Sequence, residues 1–254
     1  MNKEPVYYLQ TDPRWKNIDY SAPKGESKKR TIGSSGCGPT CAAMLIETMT
    51  GKKFTPADAC AWSLQHGYKA ANQGTYYSYF PPQFKAFGIA CRQLNSKNIY
   101  GNSASPVHKE AFDLLKQGYY LIAVMGKGLW TSSGHYIVVW WEDGRVRIND
   151  PNSQRPDRTH GNLATFKAQV KYYWAIDARE FNEEDDDMTQ EKFNEMFEKA
   201  MVEHEAKRAA RPVSTWAKAL WDKLRSKGIV DGKRPQSYAT REEVVTIVQR
   251  MKEG

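Results

Sequence analysis

A cysteine carried by small residues to the start of an apolar helix restricts this chain more than any other feature. Gly33-Ser34-Ser35-Gly36-Cys37-Gly38-Pro39-Thr40-Cys41 runs directly into Ala42-Ala43-Met44-Leu45-Ile46. A thiol at that point meets the unpaired N–H groups of the first turn and the positive end of the helix dipole, and both favour the thiolate. The thiolate is the nucleophilic form, so the segment points to cysteine chemistry, provided a base, an orienting group and an oxyanion site lie elsewhere in the chain. The other cysteines, 41, 60 and 91, are too few and too irregularly spaced for a disulfide framework or a zinc site. They read as buried free thiols, with Cys41 facing a different neighbourhood from Cys37.

Composition changes at Asn182. Up to residue 181 the chain is rich in Tyr, Trp, Gly and β-branched runs; beyond it come long helical periodicities with little glycine. Glu183-Glu184-Asp185-Asp186-Asp187 marks the seam, because like charges repel and stay solvated. The division expected is a catalytic domain over 1–181, an acidic linker over 182–187 and a helical domain over 188–254. Charge follows the same line: residues 1–181 carry 23 basic against 14 acidic side chains, and 182–254 carry 14 against 15. A basic domain suits an anionic partner. No nucleic-acid motif is present, and the one basic concentration, Lys24 to Arg30, reads as a solvated loop. No apolar run reaches the roughly 20 residues of a membrane span, and the first residues lack a signal peptide's apolar segment, so synthesis in the cytoplasm is expected.

Within the first domain, Cys37–Thr50 reads as a helix stopped by Gly51, Thr55-Pro56-Ala57-Asp58 opens a second, and Lys109–Lys116 forms a third, closed by Gly118. The period then changes to strands at 119–125, 135–141 and 145–149, with Glu142-Asp143-Gly144 as a hairpin turn. Helices followed by an antiparallel sheet predict an α+β domain. In the tail, Thr189 caps a helix with Phe193, Met196, Phe197, Ala200 and Met201 on one stripe, ended by Pro212. Ser214 caps a second helix with Ala217, Leu220, Trp221 and Leu224 on one face, stopped by Gly228. Thr240-Arg241-Glu242-Glu243 is a capping box for a third, which carries Val244, Ile247, Val248 and Met251. None of these helices is expected to stand alone in water.

A thiol nucleophile needs an imidazole to take its proton and return it to a leaving amine. His204 lies in the tail, His66 and His108 read as surface residues, and His160 reads as loop. His135 opens a buried strand after Ser132-Ser133-Gly134, where a side chain can enter a cleft. Across the 142–144 turn, antiparallel pairing sets His135 opposite roughly 150–152, so Asp150, at a fraying strand end before Pro151, can orient the imidazole. The Cys37 backbone N–H is one oxyanion donor. Tyr76-Tyr77-Ser78-Tyr79-Phe80 and Trp130 read first as core packing and second as cleft lining. No metal or cofactor is expected.

Leu9-Gln10, Thr31-Ile32-Gly33 with Gly36-Cys37-Gly38-Pro39-Thr40, Gly74-Thr75, Gly134-His135-Tyr136-Ile137-Val138-Val139 and Asn149-Asp150-Pro151 resemble the C39-like cysteine peptidases of the papain-like superfamily, over about 1–180. The resemblance implies a papain-like fold with the cysteine helix packed on the antiparallel sheet. It also implies Cys37 as nucleophile, His135 as base, Asp150 as orienter and Gln10 as a second oxyanion donor. Bacteriocin-processing members are fused to membrane transporters, and without a membrane segment leader-peptide processing is not expected here. Trp216-Ala217, Trp221, Gly228-Ile229-Val230-Asp231-Gly232, Pro235 and Thr240-Arg241-Glu242-Glu243-Val244 resemble one S-layer-homology-type repeat. Similar tails, with a start like Met188-Thr189-Gln190-Glu191, occur on bacteriophage lysis enzymes.

Together the resemblances imply an endolysin-like peptidoglycan hydrolase, released by a separate membrane-permeabilising protein, that cuts an amide bond of the wall peptide. Its expected partner is peptidoglycan or an associated wall polymer, with neither nucleic acid nor membrane insertion. Such repeats usually come in threes and only one is found, so self-association through 188–254, driven by the Phe193–Met201 stripe, is an alternative use of the tail. The rival readings are an intracellular cysteine peptidase acting on a protein and a catalytically inert wall-binding scaffold.

Overall fold

A strand that is apolar at nearly every position, as 119–125 is, must be covered on both faces. That requirement organises the domain. The structure, a computed structural model of the chain, describes residues 3–160, 162–181 and 190–253, apart from the side chains at 191 and 192. It divides into two compact units, Met1–Glu184 and Asp185–Gly254.

The first unit holds, in chain order, α1 (Ile32–Ser35), α2 (Cys37–Thr50), α3 (Pro56–Gln65), a 3-10 turn (Tyr77–Tyr79), α4 (Phe80–Lys85), β1 (Cys91–Gln93), α5 (Pro106–Lys116), β2 (Tyr119–Met125), β3 (His135–Glu142), β4 (Arg145–Asn149), α6 (Pro156–Thr159), α7 (Leu163–Gln169) and β5 (Val170–Asp177). The strands form one antiparallel sheet in the order β1-β5-β2-β3-β4. This mixture of helices and antiparallel sheet is the expected α+β class. Two strands, β1 and β5, go beyond the expected three, and β5 pairs along the whole of β2.

Side chains alternate across the pleat. Tyr120, Ile122 and Val124 of β2, with Tyr136 and Val138 of β3 and Trp174 and Ile176 of β5, form one core with α2, α3 and α4. Leu121, Ala123 and Met125, with Ile137, Val139, Tyr173 and Ala175, form a second core with Ala111, Leu114 and Leu115 of α5 and with Phe166 of α7. Helices therefore lie on both faces of the sheet. Eleven of the fourteen residues of α2 are buried, as expected of a helix apolar all round.

Local chemistry sets the joints that matter for the site. A capping exchange between Thr31 and Ser34 holds α1. A Cβ at Gly36 would lie 2.7 Å from the Ile32 carbonyl oxygen, so the corner that hands the chain from α1 to α2 accepts only glycine. Thr55 and Asp58 form a full capping box on α3. The β3–β4 turn places Asp143 and Gly144 at φ 45° and 81°, the positive-φ pair of a tight hairpin turn.

The second unit holds α8 (Gln190–Ala209), α9 (Lys218–Ser226) and α10 (Arg241–Glu253). Thr240 and Glu243 exchange the expected capping-box hydrogen bonds. Ser214 does not cap α9: the helix begins at Lys218, Ala217 occupies the cap without a side-chain bond, and Ser214 opens the preceding turn through its carbonyl while its Oγ accepts from Gln236 Nε2. Thr189 and the acidic run 183–187 lie outside the described residues. Phe193, Met196, Phe197 and Met201 of α8, Leu220 of α9, and Val244, Val248 and Met251 of α10 are exposed. The helices form, and much of their apolar surface is left open.

Candidate active site

Cys37 is the first residue of α2, His135 the first of β3, and Asp150 follows the last residue of β4. The α2 helix packs against β3, which sets the thiol beside the imidazole. The hairpin register, Val138 opposite Asn149 and Glu142 opposite Arg145, brings the chain back past His135. Pairing stops at Asn149, and Asp150 turns its carboxylate onto the ring. His135 Nε2 donates to Asp150 Oδ1 at 2.6 Å, which leaves Nδ1 to serve the Cys37 thiol, the group the imidazole draws below its ordinary value. The structure thus brings together Cys37, His135 and Asp150.

Asp150 is wholly buried and held from several sides. Its Oδ1 also accepts the Asn152 N–H at 2.8 Å. Its main chain is tied to the Tyr7 hydroxyl, which lies 3.0 Å from the Asp150 carbonyl oxygen and 2.8 Å from that of Ser153. Arg158, on α6, places Nη2 2.6 Å from Asp150 Oδ2 as an ion pair, and the same nitrogen donates to the Trp130 carbonyl at 2.6 Å. Trp130 Nε1 returns a bond to the Arg158 carbonyl. Tyr7 and Arg158 escaped the sequence reading. Neither carries a local signal, since Tyr7 sits in an ordinary apolar run and Arg158 in a short polar helix; only the fold shows what they touch.

Gln10 joins the same site. Its backbone N–H donates to the Pro151 carbonyl at 2.7 Å, and its Nε2 donates to the Gly33 carbonyl at 2.8 Å. That bond uses one of two amide protons, and Gln10 lines the cleft with Cys37 and His135. The cleft has a volume of about 410 Å³, and Arg30, Gln73, Gly74, Trp130 and Ser132–Gly134 also line it. Trp130 is both buried and part of the wall. Tyr79 and Phe80 are core, whereas Tyr76 and Tyr77 are exposed and outside this lining.

Burial works against charge on both members of the thiol–imidazole pair. It pushes the Cys37 thiol up, but the hydrogen bond and charge of His135, with the backbone N–H groups of Tyr136 and Gly38, outweigh it and leave the thiol below its ordinary value. It pushes the His135 imidazole down, but the bonds to Asp150 and Cys37 raise it to about 9. Both shifts run toward a thiolate paired with an imidazolium. Burial, reinforced by the charge of Cys37 and, at Cys41, of Asp150, drives Cys41 and Cys60 well above the usual thiol range, and burial alone raises Cys91. Cys91 is only half-buried, because β1 is an edge strand, so it departs from the expected buried thiol. All four cysteines are free.

The direction of these shifts fixes a pH profile. The thiolate persists below the ordinary thiol pKa and is lost as pH falls through the lowered value. The imidazolium persists until about 9 and is lost above it. Iodoacetamide alkylation of Cys37, followed by peptide mass spectrometry, is expected to proceed well below the free-cysteine pKa of about 8.5. Peptide hydrolysis, which needs both charges, should fall on the alkaline side near pH 9. Alkylation that rises only with the pKa of free cysteine contradicts the pairing.

The other histidines are elsewhere. His66 is exposed and stacks on Trp62, His160 ends α6 and His204 lies on α8. His108 is not a surface residue. It is 2 % exposed, and its Nδ1 and Nε2 lie 2.9 Å from the Tyr173 hydroxyl and 3.1 Å from the Asn102 carbonyl. The apolar face of α5 carries it into the second core, where its two nitrogens are satisfied. Among the described residues no group of three or more His, Cys, Asp or Glu side chains is placed to hold a metal ion, and no helix is long and apolar enough to cross a membrane.

No curated protein and no solved structure matches the chain. The model of one family, Peptidase C39-like, matches residues 9–180, a span that begins at Leu9, just before Gln10, and ends beyond β5. With the match covering most of the first unit and all four of the residues gathered around the cleft, the chain belongs to the Peptidase C39-like family and carries a cysteine peptidase domain.

Proposed function

We propose that this protein is an endolysin-like peptidoglycan hydrolase that cleaves an amide bond of the wall peptide by thiol acyl transfer. The observation that carries the chemistry is the continuous Cys37–His135–Asp150 chain at an open, polar cleft. The Cys37 thiolate attacks the amide carbonyl carbon. The oxyanion that forms is bound by the Cys37 N–H and the free proton of Gln10 Nε2. His135 gives its Nδ1 proton to the leaving nitrogen, the C–N bond breaks, and the amine departs, leaving a thioester on Cys37. Neutral His135 then takes a proton from water, the resulting hydroxide attacks the thioester, and the acid product and the thiolate are released. Asp150 holds the ring and its tautomer throughout.

The wall as target is supported by the basic first unit, which suits an anionic polymer. It is also supported by the tail, whose open apolar faces on α8, α9 and α10 are available to a wall ligand or to a second copy. Clearing of Gram-positive wall suspensions, followed by turbidity, tests this reading. Clearing supports it. Failure to clear any such preparation, with hydrolysis of a protein substrate retained, overturns it in favour of a protein-directed peptidase.

Gln10→Ala tests the oxyanion assignment. It should lower kcat about 10²–10³-fold with little change in KM. Because Nε2 also holds the Gly33 carbonyl, thermal unfolding should accompany the assay. An unchanged kcat removes Gln10 from the mechanism.

A further inference from the structure

Arg30 belongs to the basic stretch that reads, in sequence, as a solvated loop, yet it lines the cleft with Cys37. Its backbone is fixed, with the N–H donating to Ser21 Oγ at 2.9 Å and the carbonyl accepting from the Tyr20 N–H at 3.0 Å. Its Nη2 donates to the Asn72 carbonyl at 3.1 Å. Its Nε is buried with no hydrogen-bond partner, although Glu26 Oε2 lies 3.9 Å away.

That carboxylate is already committed. Glu26 Oε1 accepts Lys69 Nζ at 2.8 Å and the Ala22 N–H at 2.9 Å, and Oε2 accepts the Asn72 N–H at 2.7 Å. The Lys69 side chain is fully buried and also donates to the carbonyls of Ala70 and Gln73. Glu26 and Lys69 therefore neutralise each other, and the guanidinium remains as a net positive charge at the wall. The cleft lining contains no Asp or Glu. Its one other basic side chain, His135, is already bonded to the Asp150 carboxylate. A guanidinium at a polar cleft, whose nearest carboxylate is 3.9 Å away and shared with a buried lysine, is suited to take a second carboxylate.

We propose that Arg30 forms a carboxylate subsite in this cleft, so that the amide bond brought to Cys37 belongs to a peptide with a free carboxylate close to the scissile bond. The proposal rests on the wall-peptide reading and narrows it, since stem peptides with free carboxylates are then preferred over their carboxamide forms.

The test compares the rates at which iodoacetate and iodoacetamide alkylate Cys37 in the full chain. The two reagents differ by one carboxylate, and dividing one rate by the other removes any change in the thiolate itself. The ratio in the native protein should exceed that of Arg30→Gln by about tenfold, and Arg30→Lys should keep most of it. An equal ratio in native protein and Arg30→Gln overturns the subsite. Should Arg30→Gln fail to fold, the native ratio decides, because it must fall as salt rises from about 20 to 500 mM; a flat ratio overturns the proposal. Release of wall fragments is scored separately. Release with a flat ratio removes the subsite and keeps the hydrolase. A salt-sensitive, Arg30-dependent ratio without release keeps the subsite and removes the wall as substrate.

Discussion

Cys37→Ala will abolish hydrolysis, lowering kcat by at least about 10³-fold and to the detection limit of a fragment-release assay. The thioester cannot form without Sγ, and no other thiol can replace it. Cys41 and Cys60 are fully buried and driven well above the usual thiol range, and Cys91 lies on the edge strand β1. Cys37→Ser will be nearly as inactive, because the site is built to hold a thiolate against an imidazolium and a serine hydroxyl does not ionise under the same attraction. Both variants should keep the fold, since ten other positions of α2 are buried: Gly38, Pro39, Thr40, Cys41, Ala42, Ala43, Met44, Leu45, Ile46 and Met49; circular dichroism and thermal unfolding check this. Measurable hydrolysis by purified Cys37→Ala would remove the mechanism.

Asp150→Asn will lower kcat by about 10²–10⁴-fold, and the reason lies in its neighbours. Asp150 Oδ1 accepts two donors, His135 Nε2 and the Asn152 N–H, while Oδ2 faces the Arg158 guanidinium. A carboxamide satisfies one side and fails the other. With its oxygen on His135, its NH₂ meets Arg158 Nη2; with the amide turned over, its NH₂ meets the imidazole N–H and the backbone N–H. Either orientation sets donor against donor, and Arg158 is left buried without a counter-charge. The variant should therefore also lose about 3 kcal/mol of stability, read from its denaturant midpoint. Replacing Arg158 by Gln in the Asp150→Asn background should recover part of both losses, since the two residues act as a unit. Strictly additive losses would show that Arg158 and Asp150 are independent.

The parts of this site visible in sequence are those fixed by local chemistry. Gly36-Cys37-Gly38 and the apolar run after it announce a buried helix with a thiol at its head. Asp143-Gly144 announces a hairpin, and its register alone carries Asp150 back toward His135. The parts that escape depend on distant pairing. Strand β5 joins β2 from the far side of β3 and β4 in the chain with no turn to mark it, so a run as aromatic as Tyr172-Tyr173-Trp174 gives no sign of its partner. Arg158 stands in a polar segment with Arg155 and Asp157, where three charges look equally solvated, yet only Arg158 turns inward to Asp150. His108 shows the opposite failure: its polar sequence neighbours hide the fact that it shares the buried face of α5 with Ala111 and Leu115. The Lys24–Arg30 stretch looks like a solvated loop because Glu26 and Lys69, which pair with each other, are 43 residues apart in the chain.

In the tail the helical periodicity is plain and its use is not. Capping residues and apolar stripes fix three helices, but what covers a stripe is a question of partners, and α9 and α10 bury none of their residues.

Mass spectrometry of soluble fragments released from purified peptidoglycan tests the account most directly, with native protein and Cys37→Ala run side by side. The native protein should release fragments carrying a new amine and a new carboxyl terminus at one kind of amide bond, and the variant none. Fragments without new peptide termini, release that persists in Cys37→Ala, or no release by the native protein would contradict it.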